Sequence, residues 1–125
     1  MPLLHVKALP QSTQVNVPEV LRKTCIAIAE AYGCPVEYVS ATWQEIAPDH
    51  YVVGGQGGAV RQPTHTHPPV AELICLKGKD EATIEATLQA AGQSLGEGLG
   101  LGGNVFVTYH QVGKGRIYDD GAVYK

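Results

Sequence analysis

Met1-Pro2-Leu3-Leu4-His5-Val6-Lys7-Ala8-Leu9 opens the chain, and Pro69-Val70-Ala71-Glu72-Leu73-Ile74-Cys75-Leu76 repeats its plan 67 residues later. In each stretch a proline heads an apolar run. Leu3, Leu4, Val6, Ala8 and Leu9 alternate in part with His5 and Lys7, which reads as a first strand. Val70 to Leu76 reads as a second, more apolar one. The segment after each run decides how the two are combined.

After the first strand, Pro10-Gln11-Ser12-Thr13 breaks the pattern. Asn16 is placed to cap a helix, with Pro18 and Glu19 in the first turn, where a missing N–H and a negative charge are both welcome. Leu21, Cys25, Ile28 and Tyr32 then recur at helical spacing until Gly33 and Pro35 end the helix. Tyr38 to Gln44 carries β-branched and aromatic residues on alternate positions and predicts a strand. A turn at Pro48-Asp49, a short extended piece Tyr51-Val52-Val53, and a connector rich in Gly and Pro come next. The order then repeats. Asp80 caps a second helix with the stripe Ile84, Leu88, Ala91, Leu95 and Leu99, in which Gly92, Gly96 and Gly98 each cost up to ~1 kcal/mol. Gly100, Gly102 and Gly103 end it, and Asn104 to His110 predicts another strand. The tail from Gly113 to Lys125 holds a short extended Ile117-Tyr118.

Two β-α-β units in one domain (about 2–55 and 69–125, joined by a connector at 56–68) imply an α/β fold of the α+β kind. Its four-stranded sheet carries both helices on one face. Within each unit the crossover is right-handed and its strands parallel. The other face is left with Leu, Val and Ile side chains to bury, for which association through the sheet is the economical solution.

The totals fit this. The 125 residues, 44% of them hydrophobic, supply one core. A net charge of −3 excludes a broad nucleic-acid-binding face. Cys25, Cys34 and Cys75 make an odd set without CxxC spacing, which points to a reducing, cytoplasmic setting. No apolar run approaches the ~18 residues of a membrane span, and the start lacks a signal-peptide profile.

Pro2 is the first candidate for chemistry. Removal of Met1 leaves it as a free secondary amine. An α-amino group titrates at about 7.7–8, and burial lowers that value toward what a general base requires. The alternative is a tolerated proline on a strand edge. His65-Thr66-His67 resembles half a metal site, with His50 or Glu72 as further ligands. An idle loop or a pocket cap with a histidine acid are the competing readings, and no metal is assigned. Gly54-Gly55-Gln56-Gly57-Gly58 lacks the Lys-Ser/Thr and the helix of a phosphate loop. Cys34 reads as a turn residue, Cys25 and Cys75 as core, and Trp43 and Tyr109 as sheet core or interface.

Pro2 after Met1, Gly33-Cys34-Pro35 at the helix end, Val39 onward, the segment Glu45 to Gly55, and Pro69 through Lys77-Gly78-Lys79 together resemble the tautomerase superfamily. That superfamily includes 4-oxalocrotonate tautomerase and macrophage migration inhibitory factor. The chain is similar to a fused, two-unit member. The resemblance implies a homotrimer of pseudo-sixfold symmetry with sheets lining a central barrel, and an isomerase that needs no cofactor. It implies that Pro2 moves a proton between carbon and oxygen of a small keto–enol carboxylate. Short members carry arginines at positions that fall near Ser12 and at Ser40 here. Members related to the inhibitory factor carry a lysine at Cys34, and a Tyr and an Asn at Phe106 and Thr108. Lys77 and Lys79 fall where malonate semialdehyde decarboxylase-like members have an arginine pair, which assigns them to the substrate anion. Tyr51 matches a pocket-lining aromatic, and Phe106 is expected as a second wall. The same resemblance admits a proline-dependent dehalogenase, hydratase or decarboxylase of a C3 acid, with Glu37 or a loop histidine activating water. A binding member without chemistry is the third reading, favoured by the missing arginines.

Overall fold

A computed structural model describes all 125 residues. Strand β1 spans Leu3–Ala8, helix α1 Val17–Tyr32, β2 Ser40–Glu45, β3 Val52–Val53, β4 Gly57–Gly58, β5 Val70–Leu76, α2 Glu81–Leu99, β6 Phe106–Val112, β7 Tyr118–Asp119 and β8 Ala122–Val123. The main sheet has the order β2-β1-β5-β6. β1 and β2 are parallel, as are β5 and β6, and the two units meet through the antiparallel pair β1–β5.

The predicted α+β architecture is therefore present, with two β-α-β units side by side and related by a pseudo-twofold. The unit heads are equivalent down to single hydrogen bonds. Pro2 O accepts from Ser40 N at 3.2 Å, and Pro69 O accepts from Phe106 N at 3.0 Å. Leu4, Val6 and Ala8 from β1 and Ala71, Leu73 and Cys75 from β5 face the helices and are buried. Burial of such a set supplies most of the driving force at about 25 cal/mol per Å².

The helices start where the sequence places them. Asn16 Oδ1 accepts from Glu19 N, and Asp80 Oδ1 accepts from Thr83 N at 2.8 Å. Gly33 and Gly100 close them in the left-handed conformation. The expected stripes hold at Ile28, Tyr32, Ala91, Leu95 and Leu99 and shift by one position in the earlier turns. α1 buries Val20, Thr24, Ile28, Ala29 and Tyr32, and α2 buries Thr87, Ala91, Leu95, Gly96 and Leu99. Leu21, Cys25, Ile84 and Leu88 flank them. Two threonines enter the core because each hydroxyl donates to the carbonyl one turn back, Thr24 to Val20 and Thr87 to Thr83.

Two strand boundaries move. Val36–Tyr38 is a 3₁₀ turn started by Pro35, so β2 begins at Ser40 rather than Tyr38. Asn104 is spent on the preceding loop, donating to Thr66 O at 3.0 Å, so β6 starts at Phe106 and runs on to Val112. The glycine-rich segment after Tyr51 is a hairpin, β3–β4, and a second hairpin, β7–β8, closes the chain. The second turns through Asp120 and Gly121, both at positive φ, as a two-residue hairpin favours.

The face away from the helices mixes Leu3, Val70, Ile74, Leu76, Phe106 and Val112 with polar groups. His5 lies opposite Thr42 and Glu72, and His110 Nε2 sits 3.9 Å from Glu72 Oε2. It is less apolar than the sequence pattern suggests. No helix is long and apolar enough to cross a membrane.

Candidate active site

The antiparallel β1–β5 pair gives the sheet two chemically distinct ends. Leu3 pairs with Ile74 at one end and Lys7 with Val70 at the other, so Pro2 and Pro69 lie about 20 Å apart along the strands.

At the first end Pro2 is fully buried at the head of β1. Beside it runs the end of β5 with Cys75 and Leu76, then the exposed Lys77 and Lys79. The strand stops at Leu76, and Gly78 adopts φ +140°, a conformation that a side chain resists. The two lysines therefore do not continue one strand row. Lys77 is held by its backbone, its N–H donating to Val112 O at 2.9 Å. Lys79 is held by its side chain, with Nζ 4.6 Å from the centre of the Tyr32 ring. Neither ammonium has a carboxylate within 4.0 Å, and Asp80 is turned away to cap α2.

Behind these residues lies a group of polarisable side chains. Burial raises the Cys75 thiol above its usual value, opposed in part by the neighbouring Tyr109 hydroxyl and then by the chain's terminal amine. Burial raises the Tyr32 phenol, reinforced by Cys75 and Cys34. Tyr109 Oη is buried without a hydrogen-bond partner, and burial with Cys75 beside it pushes that phenol far above its ordinary range. These groups are held neutral, which leaves the lysines as the nearest side-chain cations along the chain after β5.

Because β6 runs parallel to β5, the tail that follows it also starts at the Pro2 end, bringing Lys114 and Arg116 after Val112. The Arg116 guanidinium donates to Gly115 O and to no carboxylate. Arg61 lies at the other end, where Gln62 N bonds to Pro10 O.

Tyr51 and Phe106 belong to that other end. Tyr51 Oη donates to Pro68 O at 2.7 Å, its ring meets the His67 ring edge-on at 5.2 Å, and burial raises its phenol. Phe106 pairs with Val70 and stays 54% exposed. Within one chain, Pro2 is thus brought together with Lys77 and Lys79, but not with the two aromatics. His67 is buried at the second end, where its Nε2–H donates to Gly57 O and its Nδ1 meets Thr66 Oγ1. Both ring nitrogens are thereby used in holding the connector. Two grooves on the outer helical surface involve none of Pro2, Lys77 and Lys79.

The sequence alone does not single out Tyr32, nor does it place the tail cations at this end. Tyr32 carries an ordinary core signature as the last apolar position of α1. The tail's placement beside Pro2 emerges only once the antiparallel β1–β5 pairing is known.

This architecture is shared with solved structures. A wild-type fused 4-OT that forms a symmetric trimer superposes with a TM-score of 0.84 at 22% identity, over 98% of this chain and 94% of that one. The chain has the tautomerase fold. A macrophage migration inhibitory factor-like protein from Entamoeba histolytica matches at 0.73 and 11% identity, over 98% of each chain. Malonate semialdehyde decarboxylase matches at 0.71 and 15%, over 94% of this chain and 90% of that one. No protein-family model and no curated protein sequence matches the chain.

Proposed function

We propose that the chain is a tautomerase-type isomerase acting on a small keto–enol carboxylate through Pro2. One observation carries the reading. Pro2 is wholly buried at the head of the central strand β1, on the sheet end that also carries two lysines without carboxylate partners. Removal of Met1 converts Pro2 from a tertiary amide into a secondary amine. Burial and neighbouring cations both favour the neutral, proton-accepting form of that amine.

The neutral amine takes the proton of the enol hydroxyl, and the electron pair released forms the C=O bond. The protonated Pro2 then returns a proton to carbon, so one O–H bond is exchanged for one C–H bond without net oxidation. Lys79 and Lys77 are the two cations that meet the carboxylate and the developing enolate oxygen. No cofactor takes part.

Tyr51 and Phe106 stand about 20 Å from Pro2 of their own chain, so they wall the pocket of a neighbouring chain. The fused 4-OT trimer supports this assembly as a homotrimer. The decisive experiment combines intact mass, to establish that Met1 has gone, with turnover of a 2-hydroxydienoate or phenylenolpyruvate. Pro2→Ala is expected to lose nearly all activity, and undiminished turnover overturns the reading.

The lysine pair supports a second reading, because malonate semialdehyde decarboxylase has the same fold and this chain has serines at positions 12 and 40. In that case Pro2 serves decarboxylation, hydration or dehalogenation of a C3 acid. A panel of an enol, a 3-haloacrylate and malonate semialdehyde decides by which substrate turns over fastest.

A further inference from the structure

Lys79 is the only lysine whose ammonium lies over an aromatic ring. We propose that Tyr32 is a positioning residue. Its ring face holds the Lys79 ammonium at the Pro2 end and makes Lys79, rather than Lys77, the group that receives the substrate carboxylate. This rests on the tautomerase reading and assigns a role within the same site.

The seat is built on a rigid base. Tyr32 is the last residue of α1, is only 6% exposed, and packs within the main apolar core. Its hydroxyl reaches the carbonyl of Leu76, the residue that ends β5. Burial raises the phenol, so the ring facing the ammonium remains neutral. A cation above such a face is attracted by the ring quadrupole and is desolvated on one side only, leaving its N–H donors free on the other.

Two features keep Lys79 available. Its neighbour Asp80 is the nearest acid in sequence, yet its carboxylate accepts from Thr83 N and caps α2. The reversal at Gly78 separates the course of Lys79 from that of Lys77, which is fixed through its backbone bond to Val112. A lysine tethered to a fixed ring loses less freedom on receiving an anion than a solvated one, which is how such a contact strengthens binding.

The test uses the processed protein, an enol carboxylate substrate and steady-state kinetics. Tyr32→Phe keeps the ring and is expected to leave KM unchanged. Tyr32→Leu is expected to raise KM about two- to five-fold with kcat unaltered. Lys79→Met is expected to raise KM about ten-fold or more, whereas Lys77→Met, which removes the cation left for the enolate oxygen, is expected to lower kcat more than it raises KM. Adding Tyr32→Leu to Lys79→Met should then change nothing further, as expected of one coupled unit.

Tyr32 belongs to the core, so a direct readout accompanies the kinetics. The ε-methylene protons of Lys79 should be shifted upfield by the ring current in the wild type and in Tyr32→Phe. Ordinary lysine shifts in the wild type overturn the inference, as do additive effects in the double variant. Pro2→Ala separates the two levels. Full turnover there overturns the tautomerase reading itself. Loss of turnover there, with KM unchanged in Lys79→Met, overturns this inference alone.

Discussion

Pro2 and Pro69 occupy equivalent places, each with its carbonyl tied to the first amide of the neighbouring parallel strand. Chemistry separates them, because only a chain-terminal proline has a basic nitrogen. Pro69→Ala is therefore expected to keep turnover close to wild type, while Pro2→Ala abolishes it. Equal losses in both would reduce Pro2 to a structural role. Asp80 allows a second residue-scale prediction. Hydrogen bonds from Thr83, and to a smaller degree the charge of Lys79, hold its carboxyl below the usual carboxylate range. A depressed folded pKa gives stability that is present above the unfolded value and lost as pH falls through the folded one. Asp80→Ala should thus lower the melting temperature at about pH 7, and the difference should vanish at about pH 2. A difference that persists in acid would argue that the effect is not electrostatic. As candidates, Pro2 and Lys79 are legible in the sequence because position and motif mark them. Tyr32 is not, since a ring that is both core and cation seat leaves the same helical spacing as one that is only core.

Helix α2 shows why three glycines survive in one helix. A Cβ at Gly92 would meet only Val107 Cγ2, at an ordinary 3.9 Å. At Gly98 it would lie 2.9 Å from Val20 Cγ1, where α1 packs closest. At Gly96 it would overlap the carbonyl oxygen of Gly102, which is backbone and cannot rotate away. Gly92→Ala should accordingly stabilise the fold by about 0.5–1 kcal/mol through helix propensity. Gly98→Ala should cost about 1–3 kcal/mol through overpacking. Gly96→Ala should cost more than Gly98→Ala, because the turn after the helix must move. Chemical denaturation checks the order, and a stabilising Gly96→Ala would refute the packing account. Both helices, their caps and their ends can be read in the sequence, since Asn16, Asp80, Gly33 and Gly100 act locally. The entry of Thr24 and Thr87 into the core cannot, because their buried hydroxyls are satisfied by carbonyls that only the folded helix presents.

At the scale of the whole molecule, the pseudo-twofold sets the chain's needs. It places both helices on one face and leaves a four-stranded face carrying Leu3, Ile74 and Phe106 among polar groups. It also sends Tyr51 and Phe106 to the end opposite Pro2. The repeat is visible in the spacing of the two prolines, whereas the antiparallel meeting of the units depends on which strand edges pair, which no local pattern encodes. One arrangement answers both needs: copies that bury the open face against each other and exchange aromatic walls. Ile74→Glu tests it, because Ile74 lies on central strand β5, on the open face, and is only half-buried within one chain. A carboxylate there costs a lone chain little, but it is costly when desolvated at an interface. The wild type is expected to sediment as three copies of the 13.3 kDa chain, and Ile74→Glu as one, with helical circular dichroism unchanged. Turnover should fall with assembly, since each Pro2 then lacks the walls supplied by its neighbours. A variant that sediments as one copy yet keeps wild-type turnover would show that each chain completes its own pocket. A wild type that is already a single copy would leave the open face to some other partner.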